Sequence, residues 1–330
     1  MENPDKRAKL DTMKKVLIFG GTGFVGSQVC EKLNQLSCRV TVATRRSDNA
    51  RHLQMLPLAD VIEIDLHDSA ALAALVAGHD AVVNLIAILH GSEEAFQKVH
   101  VTWPLELIRA CKAAGVRRIV HISALGAAPD SASKYQRSKA RGEAALLGSG
   151  LDVTVLRPSV IFGADDKFLN TFARLQQIFP LIPLAGSQAR FQPVWVEDVA
   201  SAVLRCLQDA GTIGNIYEAC GPQVFTLKEL VQLAGRYAGI DKGRGRPVIG
   251  LPNAVARLQA FFMELAPGDP VLSRDNLDAM KTDNIASGKL PGLQALGIVP
   301  ASLEAIGPSY LGARGLRSNL MAKRKTAGRF

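Results

Sequence analysis

The sequence predicts an α/β fold: a Rossmann-type doubly wound parallel sheet with a smaller C-terminal lobe. Short apolar runs alternate with helix-period segments through roughly the first half of the chain, as parallel strands and their crossover helices do. The 29 glycines and 5% aromatics suit many tight βα turns packed with Ala, Val, Leu and Ile, rather than an all-β sandwich. With 330 residues, 48% of them hydrophobic, the chain can bury a large core and a small lobe.

The elements follow in order. KKVLIFGG reads as a buried strand ending in glycine, and GFVGSQVCEKLNQL as a helix with Val25, Val29, Leu33 and Leu36 at helical spacing. RVTVATRR and VIEIDL are the second and third strands, ALAALVAG a helix, and AVVNLIAIL a fourth strand. Ala95 to Ala114 reads as one helix with Val99, Leu105, Ile108 and Cys111 inward, stopped by Gly115. RRIVHISAL is a fifth strand, SASKYQRSKARGE opens another helix, and LDVTVLRPSVIFG is a sixth strand with its loop.

After Gly163 the alternation weakens. Phe168, Phe172, Leu175, Ile178 and Phe179 suggest a helix, and VEDVASAVLRCL another. Farther on, Val255, Leu258, Phe261, Phe262 and Leu265 form an apolar stripe at helical spacing, expected in the core, with a partner or membrane face as the other reading. The expected organisation is a flexible N-terminus at 1–13, a nucleotide-binding core at 14–163, a substrate or partner lobe with returning core elements at 164–312, and a basic tail at 313–330.

Gly20, Gly23 and Gly26 form a GxxGxxG loop between a strand and a helix. A side chain in that turn would hold a pyrophosphate off the backbone N–H groups, and one at the last position would keep the helix off the sheet. The helix N-terminus then offers unpaired N–H groups and partial positive charge, with Thr22, Phe24 and Val25 beside them. This predicts a nicotinamide dinucleotide. NAD-selective sites place an acid about 20 residues later for the ribose 2′-hydroxyl. Arg45 and Arg46 stand there instead, matched to the 2′-phosphate, so NADP(H) is expected over NAD(H), unless Asp48 plays the acid's part. Asp65 and Leu66 are placed towards adenine, and Leu85, Ile86 and Ala87 towards the nicotinamide side.

GGTGFVG, TRR, DLHD, VVNLIA, HISAL, YQRSK, LRPSVIFG and WVEDVA, in this order, resemble the extended short-chain dehydrogenase/reductase superfamily over about residues 14–240. Within it, KYQRSKARGE, LRPSVIFGADDKFLN and MELAPGDPVLSRDNLDAMKTDNI look like the atypical branch holding the nucleotide-binding accessory subunit of respiratory complex I and its bacterial relatives. The resemblance implies tightly held NADPH, Pro158 beside the cofactor, and a link to respiratory-complex or quinone-pathway proteins.

Tyr135 and Lys139 match the superfamily's proton-transfer pair, in which an ammonium one helical turn along lowers the phenol's pKa and holds the nicotinamide ribose. The superfamily's catalytic Ser or Thr falls where this chain has Ala124 and Leu125, leaving Ser123 as a doubtful substitute. Three readings follow: an NADPH-binding accessory or assembly protein, an active reductase or epimerase-like enzyme on a hydrophobic small molecule, and an NADPH/NADP redox sensor.

Composition narrows the setting. Five cysteines with no CxxC, and six histidines with no paired spacing, point to a reducing compartment and no metal. No uncharged run is long enough to span a bilayer and the N-terminus lacks an apolar signal core, so a cytoplasmic location is expected, with Met13 as a second start. The missing Arg/Ser-rich transit peptide points to a bacterial origin. Of a net charge of +9, the tail supplies Arg314, Arg317, Lys323, Arg324, Lys325 and Arg329 without an acid. It reads as a solvated end or as a peripheral contact with an anionic membrane or acidic partner. No nucleic-acid partner is expected, because no aromatic is interleaved to stack on bases.

Overall fold

The structure, a computed structural model, describes residues 13–66, 68–265, 268 and 270–312. The basic tail, His67 and all of the N-terminal segment except Met13 lie outside the described residues.

The chain divides into two units. The first comprises the chain to Pro158, together with Val196–Ala219 and Ser287–Val299. It carries a seven-stranded sheet formed by β1 (Lys15–Phe19), β2 (Arg39–Thr44), β3 (Ala59–Glu63), β4 (Ala81–Asn84), β5 (Arg118–Ile122), β6 (Asp152–Pro158) and a last strand, Ile216–Ala219. Every pairing is parallel, in the order β3, β2, β1, β4, β5, β6 and the last strand. Ile18 is flanked by Val42 on one side and Val83 on the other. The chain runs outward from β1 to β3 and then returns to β4 beside β1. That reversal opens a crevice at the strands' C-terminal ends, where such sheets bind ligands.

Both faces of the sheet are covered, which explains strands that are apolar throughout and not alternating. All four residues of β4 and all five of β5 are buried. Leu17, Phe19, Val82, Leu107, Trp103 and Ile119 share one core cluster. The second unit, Ser159–Trp195, Cys220–Ala286 and Pro300 onward, has its own core, in which Phe162, Leu169, Leu230, Ala234 and Leu303 pack together. Its helix Leu227–Tyr237 starts with a capping box between Thr226 and Glu229.

Two expectations need correction. Ala95–Ala114 is not one uniform helix: Glu93–Gln97 and Trp103–Ala114 are α-helical, and Lys98–Thr102 between them is a π turn. The wider turn shifts the phase of the inward face, so Phe96, His100, Val101, Trp103 and Leu107 are buried while Leu105 is exposed. The stripe on Asn253–Leu265 is not core. Val255, Leu258, Phe261, Phe262 and Leu265 are all exposed, and the helix buries only Ala256 and Ala260. Spacing identifies a face but not which way it points.

Candidate dinucleotide site

Gly20 leaves β1 with φ of +82°, a left-handed conformation that favours glycine. A Cβ there would stand 3.1 Å from the Leu85 carbonyl carbon and 3.3 Å from the Ile86 nitrogen, so the loop lies directly against the end of β4. A Cβ on Gly26 would run into the Gly20 carbonyl oxygen and stand 2.6 Å from the Gly21 Cα, which is why the first turn of Phe24–Gln35 can close on the loop. That helix starts from Gly23 with no side-chain cap and no acid in its first turn. An uncapped, acid-free N-terminus at the crevice suits an anion. Thr22, Phe24 and Val25 are part-exposed there.

Arg45 and Arg46 follow β2 directly, and both are exposed. The Thr44 hydroxyl donates to the Arg46 carbonyl at 3.0 Å and accepts from its N–H at 3.3 Å, fixing the turn. Asp48, the alternative partner for a ribose hydroxyl, pairs with Arg51 at 2.7 Å. Asp65 and part-buried Leu66 follow β3 at the same edge of the sheet.

At the end of β4, the Asn84 side-chain oxygen Oδ1 accepts from Trp103 Nε1 at 3.0 Å and from the Ile86 N–H at 3.3 Å. The Leu85 N–H donates to the Phe19 carbonyl at 2.9 Å, and the Ile88 N–H donates to His100 Nε2 at 3.2 Å. Leu85, Ile86 and Ala87 are thereby tied at both ends while staying partly or fully exposed. Accepting at Nε2 leaves the His100 proton on Nδ1, which faces the Ser138 hydroxyl at 2.8 Å. Burial, with the nearby Lys139 charge, lowers the His100 pKa to about 3.

The helix Lys134–Leu147 supplies the rest. Ser133 caps it by accepting from the Gln136 N–H at 3.3 Å. Tyr135 is half-buried, with its ring edge-on to His100 and Phe96 at centroid distances of 5.4 and 5.9 Å. Lys139 is buried and donates to the Ile122 carbonyl at 2.8 Å. Burial lowers its pKa to about 8, against the opposing pull of Glu143.

The expected lowering of the tyrosine pKa does not occur in the protein alone. Burial pushes the Tyr135 phenol well up, and the Glu143 charge pushes it further. The Ser123 hydroxyl has a partner of its own. Continuing the alternation of β5 puts it on the opposite side from Ala124, and its hydroxyl donates to the Glu143 carboxylate. Arg157 holds the same carboxylate, with Nε 3.1 Å from both oxygens and Nη2 2.5 Å from Oε2. Ala124 is part-exposed and Leu125 buried, so neither position offers a hydroxyl. Pro158 is buried at the end of β6, its carbonyl accepting from the Leu125 N–H at 2.9 Å.

Sequence reasoning missed Glu143, Arg157, Asn84 and His100. Glu143 had a signal: it stands four residues after Lys139, on the same face of the helix.

A Rossmann sheet with a glycine loop at its switch point, and the Tyr–Lys pair at the same edge, defines an NAD(P)-binding protein of the extended short-chain dehydrogenase/reductase type. The chain belongs to the NAD dependent epimerase/dehydratase family, which matches residues 16–220. It is 31% identical over 312 residues to the mitochondrial NADH dehydrogenase [ubiquinone] 1 alpha subcomplex subunit 9 of Arabidopsis thaliana, covering 89% of this chain and 76% of that one. The Mus musculus protein of the same name is 31% identical over 294 residues, with 87% and 77% covered. In structure, the chain resembles an Escherichia coli NADPH-dependent quinone oxidoreductase solved with NADPH, at a TM-score of 0.72 and 23% identity over 88% of this chain and 98% of that one. It also resembles the Thermotoga maritima UDP-glucose 4-epimerase, at a TM-score of 0.69 and 20% identity over 93% and 99%. At these identities the structural likenesses speak for the fold alone.

Proposed function

We propose that this chain is an NADPH-holding accessory or assembly protein for a respiratory complex or for quinone metabolism, in which the nucleotide is kept rather than turned over. One observation carries the reading: the Ser123 hydroxyl is committed to the Glu143–Arg157 pair, and Ala124 and Leu125 provide no replacement. A substrate carbonyl would find Tyr135 as a donor and lack its second. Losing one such donor costs about 2.7–4 kcal/mol in comparable sites.

The residues present fit the nucleotide. Gly20, Thr22, Gly23, Phe24, Val25 and Gly26 would hold the pyrophosphate, Arg45 and Arg46 the 2′-phosphate, and Asp65 and Leu66 the adenine end. Leu85, Ile86, Ala87 and Pro158 would line the nicotinamide, and Tyr135 and Lys139 would hold its ribose. When bound, the nicotinamide supplies hydride chemistry. The relatives' names as NADH dehydrogenase subunits support a respiratory-complex partner.

The test is the nucleotide that accompanies the natively purified protein, identified by mass and by absorbance. Reduced NADPH that exchanges slowly is the expected result, and protein with no nucleotide and no NADPH affinity overturns the reading. Replacing Arg45 and Arg46 by Glu should weaken NADPH at least tenfold and leave NADH binding unchanged. The retained Tyr135–Lys139 pair favours a second reading, an NADPH-dependent reductase on a hydrophobic substrate. On that reading Tyr135→Phe abolishes turnover and spares cofactor binding.

A further inference from the structure

The connection between β2 and β3 is tied to the glycine-loop helix at its phosphate end. In Phe24–Gln35, Ser27 closes the first turn: its N–H and its hydroxyl both donate to the Gly23 carbonyl, at 2.9 and 2.8 Å. The single hydroxyl proton is thereby committed, and the oxygen still meets His52 Nε2 at 2.8 Å. Only the ring can then be the donor, so His52 carries a proton on Nε2 and offers it to the first turn.

The stretch that ends at His52 begins with the two arginines. Gly21 lies directly against β2, since a Cβ there would stand 2.8 Å from Val42 Cγ1. From Val42 the chain runs through Thr44 to Arg45 and Arg46, which leave the strand on the loop's side of the sheet. Among the described residues neither guanidinium is paired with an acid, whereas Arg51 is paired with Asp48. The Ser47 N–H donates to Glu63 Oε2 at 2.9 Å, which fixes the start of the connection to the end of β3.

Buried Ala50 and Leu53 hold the middle of the connection on the core. A second tie to the helix, from the Leu58 N–H to Asn34 Oδ1 at 3.2 Å, lies at the helix's other end. The His52–Ser27 bond is different: it is exposed, and it lies on the turn that would face the nucleotide. A 2′-phosphate held by Arg45 and Arg46 depends on forked guanidinium geometry, and each group ordered on binding subtracts from affinity. A clasp that holds the arginine-bearing segment on the helix beforehand lowers that cost. A nucleotide without the 2′-phosphate gains nothing from it.

We propose that His52 is a positioning residue for NADP(H) selectivity, a role that rests on the NADPH reading above. By donating to Ser27, it clasps the Arg45–Arg46 segment to the glycine-loop helix and shapes the 2′-phosphate end of the site before the nucleotide arrives. The test is isothermal titration of the full chain, stripped of nucleotide, with NADPH and with NADH. His52→Ala should weaken NADPH about fivefold, the worth of one hydrogen bond, and leave NADH within about twofold. Ser27→Ala should do the same, and it carries the test if His52→Ala does not fold. His52→Gln, which keeps an N–H donor, should restore NADPH to within about twofold of the wild type. With Arg45→Glu and Arg46→Glu already present, His52→Ala should cost nothing further, because the clasp acts through the arginines. Unchanged NADPH affinity in His52→Ala overturns the proposal, as does an equal loss for both nucleotides or a full loss in the arginine double variant. A wild type that binds no NADPH overturns the nucleotide reading itself, so the two failures are distinguishable.

Discussion

Two helices of nearly equal length invert the usual rule. Lys134–Leu147, KYQRSKARGEAALL, is rich in polar residues yet buries Gln136, Ser138, Lys139 and Glu143. Asn253–Leu265, NAVARLQAFFMEL, is largely apolar yet buries two alanines. The first can hold polar groups inside because each finds a partner: Lys139 the Ile122 carbonyl, Ser138 the His100 ring, and Glu143 both Ser123 and Arg157. Partnered burial avoids most of the desolvation penalty that excludes single charges from cores. The second leaves its apolar face outside, and at its margin Arg257 pairs with Asp278 and Arg274 with Glu264.

The sharpest way to break this comparison is to remove one partner from the polar helix. Glu143→Ala leaves the Arg157 guanidinium without its carboxylate and Ser123 without its acceptor. Deleting one member of a buried pair typically costs about 3–5 kcal/mol, and partial exposure of Arg157 places the expectation at the lower end. Urea denaturation measures it, and a loss below about 1 kcal/mol would show the network to be incidental.

Acid provides a smaller perturbation. His100 has a folded pKa of about 3 against an unfolded value near 6.5, and burial also holds fully buried His121 well below its ordinary value. For a depressed pKa the stabilisation is complete above the unfolded value and is lost as pH falls from there towards the folded value. Between pH 7.5 and 5.5 each histidine should therefore cost about 1 kcal/mol of stability. His100→Gln should flatten that slope by about half in denaturation curves taken across the range.

The smallest effect belongs to the apolar helix. Leu258→Gln alone should change stability by no more than about 0.5 kcal/mol, because the side chain gives up little burial. A core leucine such as Leu107, fully buried, should cost about 2–5 kcal/mol on truncation to alanine. Similar values for the two positions would mean that the exposed face is covered in solution.

Much of the site is legible in the sequence because it is written in local spacing. Gly20 to Gly26, the Arg45–Arg46 pair after the second strand and the i, i+4 pair Tyr135–Lys139 each need only a few neighbouring residues to be recognised. Glu143–Ser123–Arg157 was not legible, because its members come from a helix and from two strand ends, and only the folded sheet brings them together. The π turn at Lys98–Thr102 was invisible for another reason. Val99, Val101 and Thr102 are β-branched and weak helix formers, but nothing in them specifies a wider turn; the turn packs where His100 faces Ser138 and a Cβ on Gly142 would run into the His100 carbonyl oxygen. The orientation of the Asn253–Leu265 face was lost similarly, since periodicity is identical whether a stripe points in or out.

Trp103 carries a further consequence. The chain has two tryptophans, and this one is buried, edge-on to Phe19 at 4.9 Å and donating from its indole nitrogen to Asn84. It therefore sits immediately behind the strand end that leads to Leu85 and Ile86, while Trp195 belongs to the other unit. A buried indole emits in the window where reduced nicotinamide absorbs and the oxidised form does not. The protein thus carries its own optical gauge of occupancy and redox state: emission from Trp103 should dim when the reduced nucleotide is bound and recover on its oxidation, with a Trp195→Phe variant isolating the signal.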